Sequence, residues 1–237
     1  MAYQSVFKRY ELKYLLTEQQ KELVLAAMAP YMELDRYGRT TIRNIYYDTD
    51  TYRLIRRSIE KPVYKEKLRI RSYKQATHDS SVFVELKKKY DSVVYKRRVS
   101  MPEQQAMDWI AGGKAEQAGQ IIREIDYFID FYQTLHPTAF LSYEREAYYE
   151  RSGGDFRVTF DDNILCRTED LSLTGEVYGS PLLEPGKVLM ELKCAGGIPL
   201  WMTRVLSENN IYKTSFSKYG TAYAKLIYPT LHRAKSV

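Results

Sequence analysis

The stretch YKEKLRIRSY, residues Tyr64 to Tyr73, decides how the fold of this chain is interpreted. The two-residue period of a β-strand places four cations on one face: Lys65, Lys67, Arg69 and Arg71. Such a face points either into water or into an interior that holds a strong anion. Periodicity alone does not decide between the two, because an ordinary half-buried strand gives the same alternation. Four neighbouring like charges with no local partner nevertheless suggest an external anion.

Length and composition indicate a folded, strand-rich chain. The 237 residues, 44% of them hydrophobic, can bury a substantial core, and we expect one domain over residues 1–237. The 22 tyrosines, against 12 glycines and 8 prolines, favour many β-strands over low-complexity sequence.

Several protein classes are excluded by what the sequence lacks. No apolar run reaches the roughly 18 residues that a membrane span needs, and the N-terminus has no apolar signal-peptide core. Cys166 and Cys194 show no metal-ligand spacing, so we expect reduced, structural thiols. These features predict a soluble, cytoplasmic protein.

The positive charge is unevenly distributed. The formal net charge is +6, and YKEKLRIRSYK, ELKKKY and YKRRV concentrate basic residues in the first hundred positions. An anionic partner is therefore expected. Nucleic acid, acidic lipid headgroups and polyphosphates all satisfy this criterion.

Hydrophobic periodicity predicts eight strands with helices between some of them. The strands are expected at residues 5–16, 41–48, 64–73, 81–90, 93–101, 138–150, 156–164 and 187–194. Helices are expected at 18–28 behind an N-cap at Thr17, within 49–58, twice within 102–135, after Pro199 and towards Tyr228. Eight antiparallel strands can close into a barrel whose interior holds side chains or one ligand. The predicted fold class is therefore α+β, an eight-stranded antiparallel β-barrel with flanking helices.

Charged residues share one face on most of these strands, as in the opening stretch. Glu11 lies with Lys13, Lys96 with Arg98, and Glu191 with Lys193, while the opposite faces are mostly apolar. Helices could cover those apolar faces and leave a basic interior. For other cations, such as Lys89, Arg97 and those in RLIRR, outward orientation is the better interpretation.

At these residues the chain resembles the VTC domain, a polyphosphate polymerase family within the triphosphate tunnel metalloenzyme superfamily. The motifs that carry the resemblance are RYELKYLL, IYYDTDTYRL, KLRIRSY, VELKKK, YERE, VTFDD, MELK and SFSKYG. They run from about Phe7 to Tyr228, and their order and joint presence are specific. The resemblance implies a β-barrel tunnel that binds ATP with a divalent metal and transfers the γ-phosphate to a growing polyphosphate chain.

One departure separates this chain from the related CYTH domains, which open with ExExK. The corresponding residues here are Arg9, Glu11 and Lys13, so the first glutamate is absent. This departure favours the polymerase branch and removes one possible metal ligand.

The resemblance implies a phosphate-binding wall. Its residues would be Lys13, Arg69, Arg71, Lys87, Lys96, Arg145, Arg157, Lys193, Ser215 and Lys218. The chemistry is suitable, because a guanidinium offers a planar fork to two phosphate oxygens and a lysine adds a point charge.

The resemblance also implies the remaining roles in the site. Catalysis is expected of Arg69, Arg71, Lys218 and Glu191, and adenine stacking of Tyr143. The metal ligands would be Glu191, Glu85 and Glu11, because Mn²⁺ or Mg²⁺ takes carboxylate oxygens together with phosphate oxygens.

The expected activity is ATP-dependent polyphosphate synthesis. The expected partners are ATP and inorganic polyphosphate, and no nucleic-acid partner is expected. A metal-dependent tripolyphosphatase or nucleoside triphosphatase would use the same wall with water as acceptor. A non-catalytic polyphosphate sensor would keep the phosphate-binding residues without turnover. The sequence leaves open the oligomeric state and any membrane-protein partner that receives the product.

Overall fold

The computed structural model describes residues 10–91 and 93–233, and in these ranges one eleven-stranded sheet is flanked by helices. The strands are β1 (Tyr10–Thr17), β2 (Met32–Leu34), β3 (Thr40–Asp48), β4 (Tyr64–Tyr73), β5 (Ser81–Tyr90), β6 (Val93–Pro102), β7 (His136–Glu150), β8 (Arg157–Arg167), β9 (Ser180–Pro181), β10 (Lys187–Cys194) and β11 (Lys213–Thr214). The α-helices are α1 (Glu18–Met28), α2 (Arg53–Ile59), α3 (Glu103–Ile110), α4 (Gln120–Tyr132), α5 (Leu200–Glu208), α6 (Lys218–Ala222) and α7 (Tyr228–Arg233). A π-helical turn, Tyr223–Ile227, joins the last two helices.

All eight predicted strands are present, as β1, β3 to β8 and β10. The sequence did not indicate β2, β9 and β11, because strands of two or three residues are too short to show alternation. The first predicted strand was expected to start at residue 5, and its residues 5–9 lie outside the described ranges.

The sheet is antiparallel throughout but not closed by hydrogen bonds. Its main path is β11-β1-β10-β8-β7-β3-β4-β5-β6, with β2 on β7 and β9 on β8. Within the described residues no ladder joins β1 or β11 to β6, so the expectation of a closed ladder is corrected. A side-chain pair spans the gap instead, with Lys87 Nζ on β5 lying 3.4 Å from Glu11 Oε2 on β1. Lysines on both sides of this gap repel each other and oppose closer approach of the edges.

Helices cover the outer face of the sheet, as the apolar strand faces predicted. Leu68 and Leu86 are fully buried in a cluster that includes Trp109 of α3 and Ile125 of α4. A second cluster packs α1 and α5 against the outer faces of β1, β8 and β10. The expected inward and outward faces are therefore correct for most strands, and the charged faces are directed away from the helices. No helix in the described part of the chain is long and apolar enough to cross a membrane.

Thr17 ends β1 and begins α1, which spans the predicted residues. Its hydroxyl accepts a hydrogen bond from Gln20 N at 3.1 Å, and Thr17 N donates to Gln20 Oε1 at 3.0 Å. This reciprocal capping box satisfies two backbone donors that the helix itself leaves unpaired.

We expect Thr17→Ala to lower the free energy of unfolding by about 1 kcal/mol, because one of these donors loses its acceptor. Chemical denaturation followed by circular dichroism measures the change. Thr168→Ala is the control, because Thr168 is exposed and the change should stay within about 0.5 kcal/mol. Equal stabilities of the two variants would contradict the proposed contribution of the cap.

Candidate active site

The inward faces of the strands and the start of α6 enclose a cavity of about 300 Å³. Five of its cations come from β4, β5 and β6: Lys67, Arg69, Arg71, Lys87 and Lys96. Four more come from β1, β7, β10 and α6: Lys13, Arg145, Lys193 and Lys218. Only three carboxylates, Glu11, Glu85 and Glu191, line the same space. Basic side chains therefore outnumber carboxylates in the cavity, even when Asp161 behind Arg145 and Lys218 is counted.

The two arginines of β4 point inward. The Arg71 residue is only 6% exposed, and its guanidinium donates to Asn44 Oδ1 at 2.9 Å and to Tyr143 Oη at 3.0 Å. Arg69 donates to Tyr46 Oη at 2.9 Å. Arg69 and Arg71 of YKEKLRIRSY are thus directed into the protein, as the family resemblance implied.

Glu85 of β5 neutralises the β4 to β6 side of the cavity. Its Oε2 accepts from Arg69 Nε at 2.9 Å and Nη2 at 2.7 Å, and its Oε1 lies 2.6 Å from Lys96 Nζ. Burial raises the pKa of Glu85, but attraction by Arg69, Arg71 and Lys96 outweighs it and holds the pKa well below its usual range. This carboxylate is 1% exposed, and Arg69 and Lys96 lie beside its two oxygens.

A second ionic cluster lies on the β7, β8 and β10 side. Arg145 makes two hydrogen bonds of 2.6 Å to Asp161, and Lys218 Nζ lies 2.5 Å from the same carboxylate. Glu191 is 3.4 Å from both Arg145 and Lys218 and 3.0 Å from Lys193. Burial raises the pKa of Glu191, but these cations and Lys13 outweigh it and keep the pKa well below the ordinary value.

Among the described residues, no carboxylate contacts Lys67, which lines the cavity. Its Nζ donates to Ser217 Oγ at 3.0 Å. Burial lowers its pKa to about 7, with a further contribution from the neighbouring cations Lys87, Lys13 and Lys65. An anion that enters the cavity would therefore stabilise the charged form of this amine.

The start of α6 positions Lys218. Ser217 caps the helix by accepting from Gly220 N at 3.1 Å. Tyr219 Oη lies 2.7 Å from Thr138 Oγ1 and donates to Asp48 Oδ2 at 3.1 Å, and its ring stacks on Tyr46 with centroids 4.7 Å apart. Fixed on both sides, Lys218 projects into the cavity as part of a rigid segment.

A second cavity of about 430 Å³ adjoins the first. Six lysines line it, namely Lys13, Lys65, Lys67, Lys87, Lys89 and Lys213, together with one carboxylate, Glu11. We call this cavity the lysine mouth. The two cavities share several lining residues, among them Lys13, Lys67 and Lys87, so they lie directly beside each other.

The structure brings most of the predicted site residues together but not all. Arg157 shares a strand with Asp161, yet it is exposed at the start of β8 and does not line the cavity. Ser215 lines the lysine mouth, and Ser217 takes the inner position. Lys89, expected to point outward, also lines the mouth, whereas Arg97 points outward and contacts Glu124 at 2.7 Å.

Tyr143 lies in the cavity wall but is poorly placed to stack on adenine. It is 3% exposed, and Lys218 Nζ and the guanidinium carbon of Arg145 lie 4.5 and 5.1 Å from its ring centre. Burial raises its pKa, but Arg71, Arg145 and Lys218 outweigh it and lower the pKa below the usual value. This environment argues for a role in holding cations and against the expected stacking role.

Sequence reasoning missed four contributors to the site: Tyr46, Lys67, Asp161 and Ser217. Alternation on β4 already placed Lys67 on the cationic face, and the position of Ser217 directly before a helix is typical of an N-cap. Asp161 is fully buried between Arg145 and Lys218, and the sequence pattern of β8 gives no signal for this ion pair.

The carboxylates that line the cavity are the candidate ligands for a divalent metal. Within the described residues no group of three or more metal-binding side chains exists, so the protein alone forms no metal cage. Glu11 and Glu191, on the neighbouring strands β1 and β10, both approach Lys13 Nζ, at 3.3 and 3.5 Å. Two such carboxylates fit an ion that also takes phosphate oxygens. Glu85 lies on the opposite side of the cavity beside Arg69 and Lys96, and its expected role as a metal ligand stays a prediction.

Comparison with known proteins agrees with this geometry. The family described as the VTC domain matches residues 8–227. A candidate adenylate cyclase from Bacillus halodurans shares the fold at 14% identity and a TM-score of 0.56, covering 90% of this chain and 95% of its own. A candidate adenylyl cyclase from Hippeastrum, described as having a dominant triphosphatase activity, gives 16% identity and a TM-score of 0.54, with 90% and 94% covered. No curated protein sequence gave a significant match. The fold is thus that of the triphosphate tunnel proteins.

The depressed pKa of Lys67 predicts proton uptake when an anion binds. At pH 8 the amine is mostly neutral in the free protein, and a bound phosphate should move its pKa from about 7 back towards the ordinary 10.5. Calorimetric titration of tripolyphosphate in buffers of different ionisation enthalpy measures the protons taken up. We expect Lys67→Arg to take up fewer protons than the unmodified protein, because arginine stays charged. Lys114→Arg, at an exposed position, is the control, and equal uptake by all three proteins would contradict the assignment.

Proposed function

Because the chain belongs to the VTC domain family, we propose that it is an ATP-dependent polyphosphate polymerase. The observation that carries the proposal is the adjacency of two cation-lined cavities, the inner one lined by nine basic side chains against three carboxylates. A triphosphate can be held in the inner cavity while a longer polyanion continues into the lysine mouth. A closed pocket of the same charge would suit a triphosphate alone.

Substrate binding would rely on Arg69, Arg71, Arg145 and Lys218. Their buried carboxylate partners hold these side chains in fixed positions, so little reorganisation is needed when phosphates enter. Guanidinium groups suit paired phosphate oxygens, and the ammonium of Lys218 adds a charge on the opposite side.

The proposed reaction transfers the γ-phosphoryl group of ATP to the terminal oxygen of a polyphosphate chain. A bond forms between that oxygen and the γ-phosphorus, and the bond to the β–γ bridging oxygen breaks, which leaves ADP with the negative charge. Phosphoryl transfer needs positioning and charge neutralisation more than covalent help from the protein. The fixed cations of the cavity supply both.

Glu191, with Glu11 beside it, would hold a Mn²⁺ or Mg²⁺ ion together with phosphate oxygens. Such an ion would neutralise charge on the transferring phosphoryl group. In that arrangement Lys13 contacts both carboxylates and limits their mutual repulsion.

Hydrolysis of a triphosphate is the second candidate function. A structurally similar protein from Hippeastrum is described as having a dominant triphosphatase activity, and the same wall could act with water as acceptor. A polyphosphate sensor would use the same cations without turnover.

The three functions differ in their products. Purified protein is incubated with ATP and Mn²⁺, chain lengths are resolved on a gel, and free phosphate is measured in parallel. We expect polyphosphate chains that lengthen with time. Free phosphate without polymer would support a triphosphatase, and neither product would support a sensor, so either result would contradict the polymerase proposal.

Variants of Glu191 and Lys218 separate turnover from binding. Glu191→Gln keeps the size and removes an anion from the cavity, so we expect turnover to fall about 100-fold while tripolyphosphate binds as well or better. Lys218→Gln removes a cation and should weaken both turnover and binding. Activity assays paired with calorimetry measure the contrast.

Glu208→Gln, at an exposed position on α5, serves as the control and should change neither quantity. Near-normal turnover of Glu191→Gln at saturating Mn²⁺ would rule out the role given to this carboxylate.

A further inference from the structure

We propose that Asp48 is a positioning residue that acts from outside the cavity and holds Lys218 in place through the hydroxyl of Tyr219. Asp48 is the last residue of β3, it is fully buried, and it does not line the cavity. The inference deepens the proposed function, because it rests on Lys218 being a phosphate-binding residue. It assigns a role to the aspartate that ends IYYD, residues 45–48, which the phosphate-binding wall does not explain.

Four donors converge on the carboxylate of Asp48. Its Oδ1 accepts hydrogen bonds from the backbone N–H groups of Thr49 and Leu54, at 2.9 and 2.8 Å. Its Oδ2 accepts from the backbone N–H of Ile55 at 3.0 Å and from Tyr219 Oη at 3.1 Å. An asparagine would offer one acceptor oxygen where the carboxylate offers two. The four contacts therefore favour aspartate over its neutral amide.

The same carboxylate caps the start of α2. The helix begins at Arg53, after Tyr52, which has a left-handed backbone (φ 55°) and whose side chain makes no capping hydrogen bond within the described residues. Leu54 and Ile55 lie in the first turn, where backbone N–H groups have no acceptor inside the helix. Asp48 accepts from both and ties the end of β3 to the start of α2. These bonds fix the carboxylate before it meets α6.

The hydroxyl of Tyr219 carries the constraint from Asp48 to α6. Its oxygen lies 2.7 Å from Thr138 Oγ1 and 3.1 Å from Asp48 Oδ2. An ionised carboxylate only accepts, so Tyr219 gives its single hydroxyl proton to Asp48 and accepts from Thr138. Lys218 directly precedes Tyr219 in the chain and projects into the cavity. The direction of the lysine therefore depends on the hydrogen bond that its neighbour makes.

The ring of Tyr219 makes contacts that do not depend on its hydroxyl. It stacks on Tyr46 with centroids 4.7 Å apart, and Tyr46 Oη accepts from Arg69 Nη1 at 2.9 Å. The ring also belongs to a buried apolar cluster with Ile55 of α2 and Ala222 of α6. Removal of the hydroxyl alone therefore separates the position of Lys218 from the packing of α6 and from the support of Arg69.

The test is a double-mutant cycle on tripolyphosphate affinity, measured by calorimetry at constant salt. Tyr219→Phe keeps the ring, and Asp48→Asn keeps the size of the side chain. We expect each change to weaken binding about tenfold while Lys218 is present. In the Lys218→Gln protein, each should change the affinity by no more than about twofold, because the group that they position is gone.

Matched controls remove the same groups at exposed positions. Tyr212→Phe removes a hydroxyl from a residue that is 75% exposed, and Asp79→Asn removes a carboxylate charge from the surface. Neither should change tripolyphosphate affinity. Circular dichroism shows which variants are folded, and Tyr219→Phe alone decides the outcome if Asp48→Asn does not fold.

Two results would overturn the inference. One is unchanged affinity in Tyr219→Phe, and the other is an equal loss with and without Lys218, which a general structural effect would give. These measurements need no turnover. A protein that makes no polymer but shows the dependence on Lys218 therefore supports the positioning role while rejecting the polymerase. A protein that makes polymer without that dependence rejects the positioning role alone.

Discussion

Surplus positive charge inside the sheet is the constraint on which the rest of the structure depends. Removing a cation from water is costly unless a carboxylate or another anion lies beside it. Glu85, Asp161 and Glu191 each contact two or more cations at the cavity. The carboxylates are nevertheless outnumbered, and under the proposed function a phosphate ligand would supply the missing negative charge.

The stability of the fold comes from the opposite face of the same strands. Two apolar clusters pack α3 and α4 against β4 and β5, and α1 and α5 against β1, β8 and β10. Because side chains of a strand alternate, each strand contributes hydrophobic burial outward and charge inward. This division lets the interior serve ligand binding while the helices on the outside stabilise the sheet.

The sequence predicted the features that depend on residue alternation and local helix capping. It did not predict where individual side chains lie in the tertiary structure. The eight long strands and the Thr17 cap followed from residue spacing, and the inward direction of Arg69 and Arg71 followed from the family resemblance. Arg157 lies on the same face of β8 as Asp161, but it is at the exposed start of the strand. Tyr143 lies at a register shift between β7 and β8, and period-two patterns do not reveal such irregularities.

The most direct test of the account is a crystal structure of the protein with tripolyphosphate and Mn²⁺. The central claim to be tested is that the cationic face of β4 binds phosphates from inside the sheet. The account predicts phosphate oxygens within hydrogen-bond distance of Arg69, Arg71, Arg145 and Lys218, with the metal between those oxygens and Glu191. Tripolyphosphate bound only on the outer surface, with the inner cations still paired solely to their own carboxylates, would contradict it.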